Sequence, residues 1–242
     1  MENLSGAISK EDVTENYRVI KERIAQAAEK AGRRPEEIEL VAVTKTVPAV
    51  LINHSISLGV THIGENRVQE MLSKLPDLRG DGLKISMIGH LQTNKAGLAV
   101  ANSDMIQSVD SERLALEISR RAETLHKEME ILIEVNVGGE ESKSGVLPGE
   151  CDELVKKCGL LPGLRVSGLM TIPPISRDLA VTRRYFQKMH KLFVDICAKN
   201  SHNSNVNMRT LSMGMSDDYF DAILCGSNMV RIGSALYGKR VY

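Results

Sequence analysis

Apolar runs that end in one polar or charged side chain recur along this chain and punctuate it into repeated units. The first, Ile-Glu-Leu-Val-Ala-Val-Thr-Lys at 38–45, carries Leu40, Val41, Ala42 and Val43 on both alternating faces. That is the pattern of a parallel strand covered on both sides, not of a half-wet one. Seven further stretches read the same way: 62–66, 83–90, 105–110, 130–137, 165–172, 208–213 and 229–236. Between them the spacing turns helical at about 48–58, 66–75, 93–101, 111–128, 149–158, 178–199 and 217–225. Ahead of the first strand, Ser9-Lys10-Glu11-Asp12 has the form of a capping box, and Val13, Tyr17, Ile20, Ile24, Ala27 and Ala31 follow at spacings of three and four before Gly32 and Pro35 end the helix. Strand and helix alternating eight times predict an α/β protein with a closed parallel sheet, a (β/α)8 TIM barrel, as one domain spanning 1–242. The eighth strand lies close to the last residue, so the leading helix is expected to cover the place of a final one. Pro148-Gly149 and Leu161-Pro162-Gly163 are turn signals between units.

Barrel enzymes keep their chemistry at the carboxyl ends of the strands, and here polar residues gather there: Lys45, Glu65, Asn66, His90, Asp110, Asn136, Thr171, Ser212 and Ser234. Any one of them could be a cap or a loop hydrogen bond. Asp110 before Ser111, and Ser216 before Asp217 and Asp218, read as caps. Lys45 has its aliphatic stem beside apolar walls, an environment that disfavours the ammonium form and suits imine formation with a carbonyl. The plainer reading is a lysine snorkelling into water. Pro48 then closes the strand and can open a helix. The seventh strand runs into Ser212-Met213-Gly214-Met215-Ser216 and the eighth carries Arg231-Ile232-Gly233-Ser234. Gly214 and Gly233 let backbone amides approach an anion and Ser212 and Ser234 add hydroxyls, although both glycines could simply make tight turns. A strand-end lysine and a phosphate cup on opposite sides of the barrel seam suit a phosphorylated aldehyde, of which pyridoxal 5′-phosphate is the commonest. Arg231, pointing inward, could hydrogen-bond its pyridine nitrogen, keep that nitrogen unprotonated and weaken the ring as an electron sink.

Composition narrows the alternatives. Lysine plus arginine equals aspartate plus glutamate at 31 each, so no net field recruits nucleic acid or an acidic membrane. Tryptophan is absent and only 3% of residues are aromatic, which argues against a stacking platform for single strands. Cys151, Cys158, Cys197 and Cys225 form no CxxC pair and show no zinc spacing; they read as reduced thiols of a cytoplasmic protein. The six histidines have no HxxxH pattern, and no metal site is assigned. An early cluster of acids without an apolar core excludes a signal peptide, and no run is long enough to span a bilayer. The glycine-rich stretch 137–145 contains Lys143-Ser144 but lacks the glycine that precedes lysine in a nucleotide P-loop, and no G-x-S-x-G elbow is present.

Read together, LVAVTKTVP, IGENRVQE, IGHLQTNK, IEVNVGGEESKSGV, GLMTIPP, LSMGMSDDYFDAI and VRIGSALYG resemble, in order and over essentially the whole chain, the YggS/PROSC family of pyridoxal phosphate homeostasis proteins. The resemblance implies a single barrel of PLP fold type III, related to the N-terminal domain of alanine racemase and lacking its C-terminal β-domain. It implies pyridoxal phosphate joined to Lys45 as an internal aldimine and Arg231 facing the pyridine nitrogen. It places Ser212, Met213, Gly233 and Ser234 on the phosphate and Asn66 beside the ring. One departure is visible: the Trp-His pair that many members carry before the IG of the third strand is Ile85-Ser86 here. His90 is left out of the site. Racemases of this fold need a second acid/base, usually a tyrosine from the β-domain and a dimer partner; Tyr237 and Tyr242 are expected to be packing or tail residues. The expected function is a non-catalytic carrier that buffers pyridoxal phosphate and delivers it to PLP-dependent apo-enzymes, working as a monomer. The rivals are a minimal amino-acid racemase with Tyr237 or water as second base, and a Schiff-base aldolase acting on a sugar phosphate.

Overall fold

The computed structural model describes residues 8–176, 178–200 and 202–238. Among them, eight parallel strands close in sequence order into a barrel: β1 (Glu39–Val43), β2 (His62–Glu65), β3 (Lys84–Met87), β4 (Met105–Val109), β5 (Met129–Glu134), β6 (Leu164–Met170), β7 (Val206–Ser212) and β8 (Met229–Ile232). Closure is made by β1 against β8, with Val41 opposite Arg231. The helices are α1 (Lys10–Lys30), α2 (Ala49–Ser57), α3 (Val68–Lys74), α4 (Ala96–Asn102), α5 (Glu112–Thr124), α6 (Cys151–Cys158), α7 (Leu179–Lys199), α8 (Tyr219–Leu224) and the single turn α9 (Ser234–Tyr237). The barrel expected from the alternation is the one observed.

The leading helix starts where its capping box predicts, with Ser9 Oγ accepting from the Asp12 amide and Asp12 accepting from the Ser9 amide. Its apolar stripe, Val13, Ile20, Ile24, Ala27 and Ala28, is fully buried against α2, α8 and α9. This helix therefore fills the gap that α9, one turn long, leaves open.

The last unit differs from the sequence expectation. Residues 229–236 read as one strand, yet β8 stops at Ile232 and the chain coils, with the Leu236 and Tyr237 amides both donating to Gly233 O. A short apolar run does not distinguish strand from helix by its periodicity. The strand predicted at 130–137 is likewise shorter: Val135 bridges to Val146 of the following loop, and Asn136 turns to bind the Glu140 and Lys143 carbonyls.

Inside the barrel, Val41, Met105, Leu132, Met170 and Met229 form an apolar layer, while the residues between them on each strand face the outer helices. A polar row crosses the same interior. Arg231 Nη1 donates to Ser212 Oγ (2.7 Å), Ser212 Oγ to Gln107 Oε1 (2.8 Å), and Gln107 Nε2 to Ser86 Oγ (3.1 Å). Ser86 Oγ lies 2.7 Å from His62 Nε2, and His62 Nδ1 lies 2.7 Å from Glu39 Oε1. Arginine has donors only, so each hydroxyl accepts on the Arg231 side and donates on the other, which leaves the His62 proton on Nδ1 for the Glu39 carboxylate. Ser86 thus occupies a structural link in the row, and the imidazole that meets it comes from β2.

Candidate active site at the barrel mouth

Lys45 sits two residues beyond β1, half-buried, in a turn whose next residue, Thr46, has φ +61°. A β-branched residue is costly in that conformation, so its surroundings must hold it. They do so from two directions. Glu70 on α3 accepts the Thr46 amide, and Lys74, one turn on, donates to Glu70 Oε1 (2.6 Å), Glu65 Oε1 (2.8 Å) and the Thr44 carbonyl (2.6 Å). Thr44 Oγ1 adds a 2.6 Å bond to Glu65. Burial raises the Glu65 carboxyl above its usual range against the pull of Lys74 and Thr44; at Glu70 the Lys74 and Thr46 hydrogen bonds outweigh burial and lower it. Sequence reading named Glu65 only as a strand-end residue and did not single out Glu70 or Lys74. Their i,i+4 spacing on α3 was the available signal.

The neighbouring strand β8 brings Arg231 to the same mouth. Its side chain is buried, and besides Ser212 it donates from Nη2 to the Thr171 carbonyl (2.9 Å). Among the described residues no carboxylate is hydrogen-bonded to it. Burial lowers the guanidinium to about 10, opposed by Asp218 and Glu134, so it stays cationic at neutral pH.

The residues expected to hold a phosphate are divided by the fold. Gly233 and Ala235 amides converge on one oxygen, Ser216 Oγ, at 3.3 and 3.1 Å. This is a cradle for an acceptor oxygen at a chain reversal, and a phosphate oxygen fits the same donor pair. Ser216 is therefore bound to the β8 turn and does not cap α8; the Met215 amide is taken by Asp218 Oδ1 (2.6 Å). Gly214 has φ +94°, and a Cβ there would lie 2.5 Å from that of Ala222, so only glycine fits this turn. Ser234 is exposed at the cradle. Ser212 lies deeper, fully buried, its hydroxyl proton committed to Gln107. Met213 donates its amide to Met229 O and packs its side chain in the outer core, away from the cradle.

Asn66 follows β2 and lines a cavity of about 320 Å³ with Arg67, His90, Gln92 and Lys95. Gly89 makes this possible: a Cβ there would sit 2.4 Å from the Asn66 carbonyl oxygen. A larger hollow of about 590 Å³, lined by Glu39, Lys84, Arg209 and Asn228, opens at the amino ends of the strands. The structure thus gathers Lys45, Asn66, Arg231, Gly233 and Ser234 at one end, with Ser212 beneath Arg231. Gln107, Thr171 and Ser216 join the arrangement through their hydrogen bonds to Ser212, to Arg231 and to the β8 turn.

Tyr237 is elsewhere. It is buried between the barrel and α1, its hydroxyl 2.7 Å from Ser55 Oγ, and burial pushes it up to about 12. Tyr242 lies outside the described residues. All four cysteines are free, and burial pushes the Cys151 and Cys158 thiols up to about 12. Among the described residues no cluster of metal ligands occurs, and no helix is long and apolar enough to cross a membrane.

Residues 8–241 match the family model described as alanine racemase, N-terminal domain. The pyridoxal phosphate homeostasis protein of Aquifex aeolicus (strain VF5) is 42% identical over 221 residues, 91% of this chain and 95% of that one. Its counterpart in Escherichia coli (strain K12) is 37% identical over 234 residues, 96% and 98% of the two chains. The solved structure of PipY from Synechococcus elongatus PCC7942 with PLP bound superposes with a TM-score of 0.77 at 31% identity, covering 90% of this chain and all of that one.

Proposed function

The chain belongs to the alanine racemase N-terminal-domain family and, within it, to the pyridoxal phosphate homeostasis proteins, and from that premise we propose that it binds pyridoxal 5′-phosphate and holds it for release to other proteins. The observation that carries this is Arg231: a buried guanidinium whose hydrogen-bond partners among the described residues are neutral, on the strand that adjoins the one delivering Lys45. Bound there, the cofactor supplies an aldehyde that a primary amine can take up and give back.

The chain's own residues have distinct tasks in this reading. Lys45 provides the amine, and the Glu70–Lys74–Glu65 brace fixes the backbone on either side of it. Asn66 stands beside the ring. The Gly233 and Ala235 amides, with Ser234, take the phosphate end, displacing or sharing Ser216; Ser212 acts by orienting Arg231. Met213 contributes through the backbone turn that it anchors. Arg231 keeps donors for the pyridine nitrogen, and a permanent cation opposite that nitrogen leaves it unprotonated, which disfavours carbanion chemistry and favours holding and releasing. Recipients are PLP-dependent apo-enzymes, and the protein works as a cytoplasmic monomer.

The racemase reading requires a second base near Lys45. Tyr237, the side chain it named, is bonded to Ser55 outside the barrel, which leaves water. Two measurements test the assignment. The freshly purified protein shows visible absorbance that Lys45→Ala abolishes while some phosphate-dependent binding persists; a colourless protein would also revive the aldolase. Incubation with single L-amino acids in deuterated water leaves Cα unlabelled. Deuterium entering at enzymatic rates would overturn the carrier.

A further inference from the structure

Glu134 ends β5, diametrically across the barrel from β1, and the strand's alternation turns it inward beside Leu132 of the apolar layer. It is 8% exposed, and its Oε2 is buried without a hydrogen-bond partner. A buried unsatisfied carboxylate costs free energy and calls for a reason. The charged groups around it are few. Asp110 at the end of β4 repels it, with His90 Nδ1 3.3 Å from Asp110 Oδ2; Arg231 on β8 attracts it without a hydrogen bond. On β6, Met170 and Thr171 carry no charge. Lys143 of the loop after β5 is engaged with Glu140 and the Pro173 carbonyl. The mouth therefore has an anion cradle on β8 and an acidic corner on β4 and β5 in which His90 stands beside Asp110 and Arg231 attracts Glu134 from across the barrel without a hydrogen bond.

An anionic cofactor gains nothing from that corner, but the molecule that collects it does. A primary amine arrives at neutral pH as an ammonium ion and has no lone pair to attack with until it loses a proton. Resting on the proposed exchange function, we propose that Glu134 binds the ammonium group of the incoming acceptor, such as a lysine of a recipient protein, and takes its proton so that the amine can replace Lys45. The step balances. R–NH3+ gives one proton to the Glu134 carboxylate; the freed lone pair would add to the imine carbon that joins the cofactor to Lys45, the two hydrogens left on that nitrogen would pass to the Lys45 nitrogen as the C=N bond to Lys45 gives way to a C=N bond to the acceptor, and Lys45 would leave as an amine that receives the proton from Glu134. In all, the acceptor nitrogen gives up three hydrogens and the Lys45 nitrogen gains three, one of them carried by Glu134, which ends as it began. Burial, then Asp110, raises the Glu134 carboxyl to about 7, a value suited to a group that must both take and return a proton near neutrality.

The test compares two amines displacing the chromophore of the holoprotein at pH 7: propylamine, protonated there as a lysine is, and methoxyamine, already neutral. In Glu134→Gln the propylamine rate should fall ~100-fold relative to the methoxyamine rate, and Glu134→Asp should recover part of that ratio. Independently of any cofactor, carbon-13 signals of the apoprotein should show one carboxyl titrating near neutrality, absent in Glu134→Gln and moved to lower pH by propylammonium. Equal slowing of both amines, or a Glu134 carboxyl that ignores propylammonium, overturns the role of Glu134 alone. A wild-type protein with no visible absorbance overturns the reading of the site itself, and the apoprotein titration then decides whether the corner still binds ammonium.

Discussion

Replacing Glu134 by glutamine should stabilise the cofactor-free protein, and by an amount that depends on pH. The carboxyl moves from 4.5 to about 7 on folding because it is buried, stands near Asp110 and receives only partial compensation from Arg231. A folded-state value above the unfolded one means that the native protein holds a proton which the unfolded chain releases. The associated stability is present below the unfolded value and is lost as pH rises through 7. At ~1.4 kcal/mol per unit, ionised Glu134 costs about 3 kcal/mol at pH 8 but under ~1 kcal/mol at pH 5. Glutamine keeps the shape and removes the charge. For a domain of this size, where ~1 kcal/mol moves the thermal midpoint by roughly 2–4 °C, Glu134→Gln should melt roughly 6–12 °C higher than wild type at pH 8. At pH 5 the gap should shrink to a few degrees. Scanning calorimetry on apoprotein at both pH values reads this directly. A difference that is the same at both, or a destabilised variant at pH 8, would refute the claim that an uncompensated charge is stored at the mouth.

Other outcomes follow from single contacts. Gly89→Ala would press a Cβ against the Asn66 carbonyl, 2.4 Å away, and should cost about 1–3 kcal/mol while shifting the backbone beside Asn66, read by urea unfolding and by weaker cofactor binding. Gln107→Leu removes both middle links of the interior row and leaves the Ser212 hydroxyl without its acceptor; a loss of about 1–3 kcal/mol is expected, together with weakened binding through Arg231, and unchanged affinity would show that the row does not orient the guanidinium. Thr46→Gly relieves the φ +61° backbone and should stabilise the apoprotein by about 1 kcal/mol if the loop conformation persists; a loss of stability would mean that the Thr46 side chain contributes more than the strain it carries.

Much of the architecture was legible in the chain because its parallel strands, buried on both faces, announce themselves as continuous apolar runs, and because Ser9, Asp12 and Pro48 mark helix starts by local chemistry that depends on no distant partner. That Lys45, Asn66, Arg231, Gly233 and Ser234 share one rim was legible for a related reason: in a closed parallel barrel the carboxyl end of every strand reaches that rim, so position along a strand already implies position in space. Tertiary contact decided the rest. Ser212 and Ser216 have the same hydroxyl in the same short motif, yet one is sealed beneath Arg231 and the other receives the amides of Gly233 and Ala235. Sequence spacing holds no record of that division. Glu134 is the sharpest case. Local sequence shows a glutamate near a strand end, an ordinary surface residue by composition, and only burial, the approach of Asp110 and a carboxylate oxygen left without a hydrogen bond set it apart. Burial and electrostatic environment belong to the closed barrel as a whole, because desolvation is set by which chain segments exclude water from a point and not by the residues adjoining it in sequence.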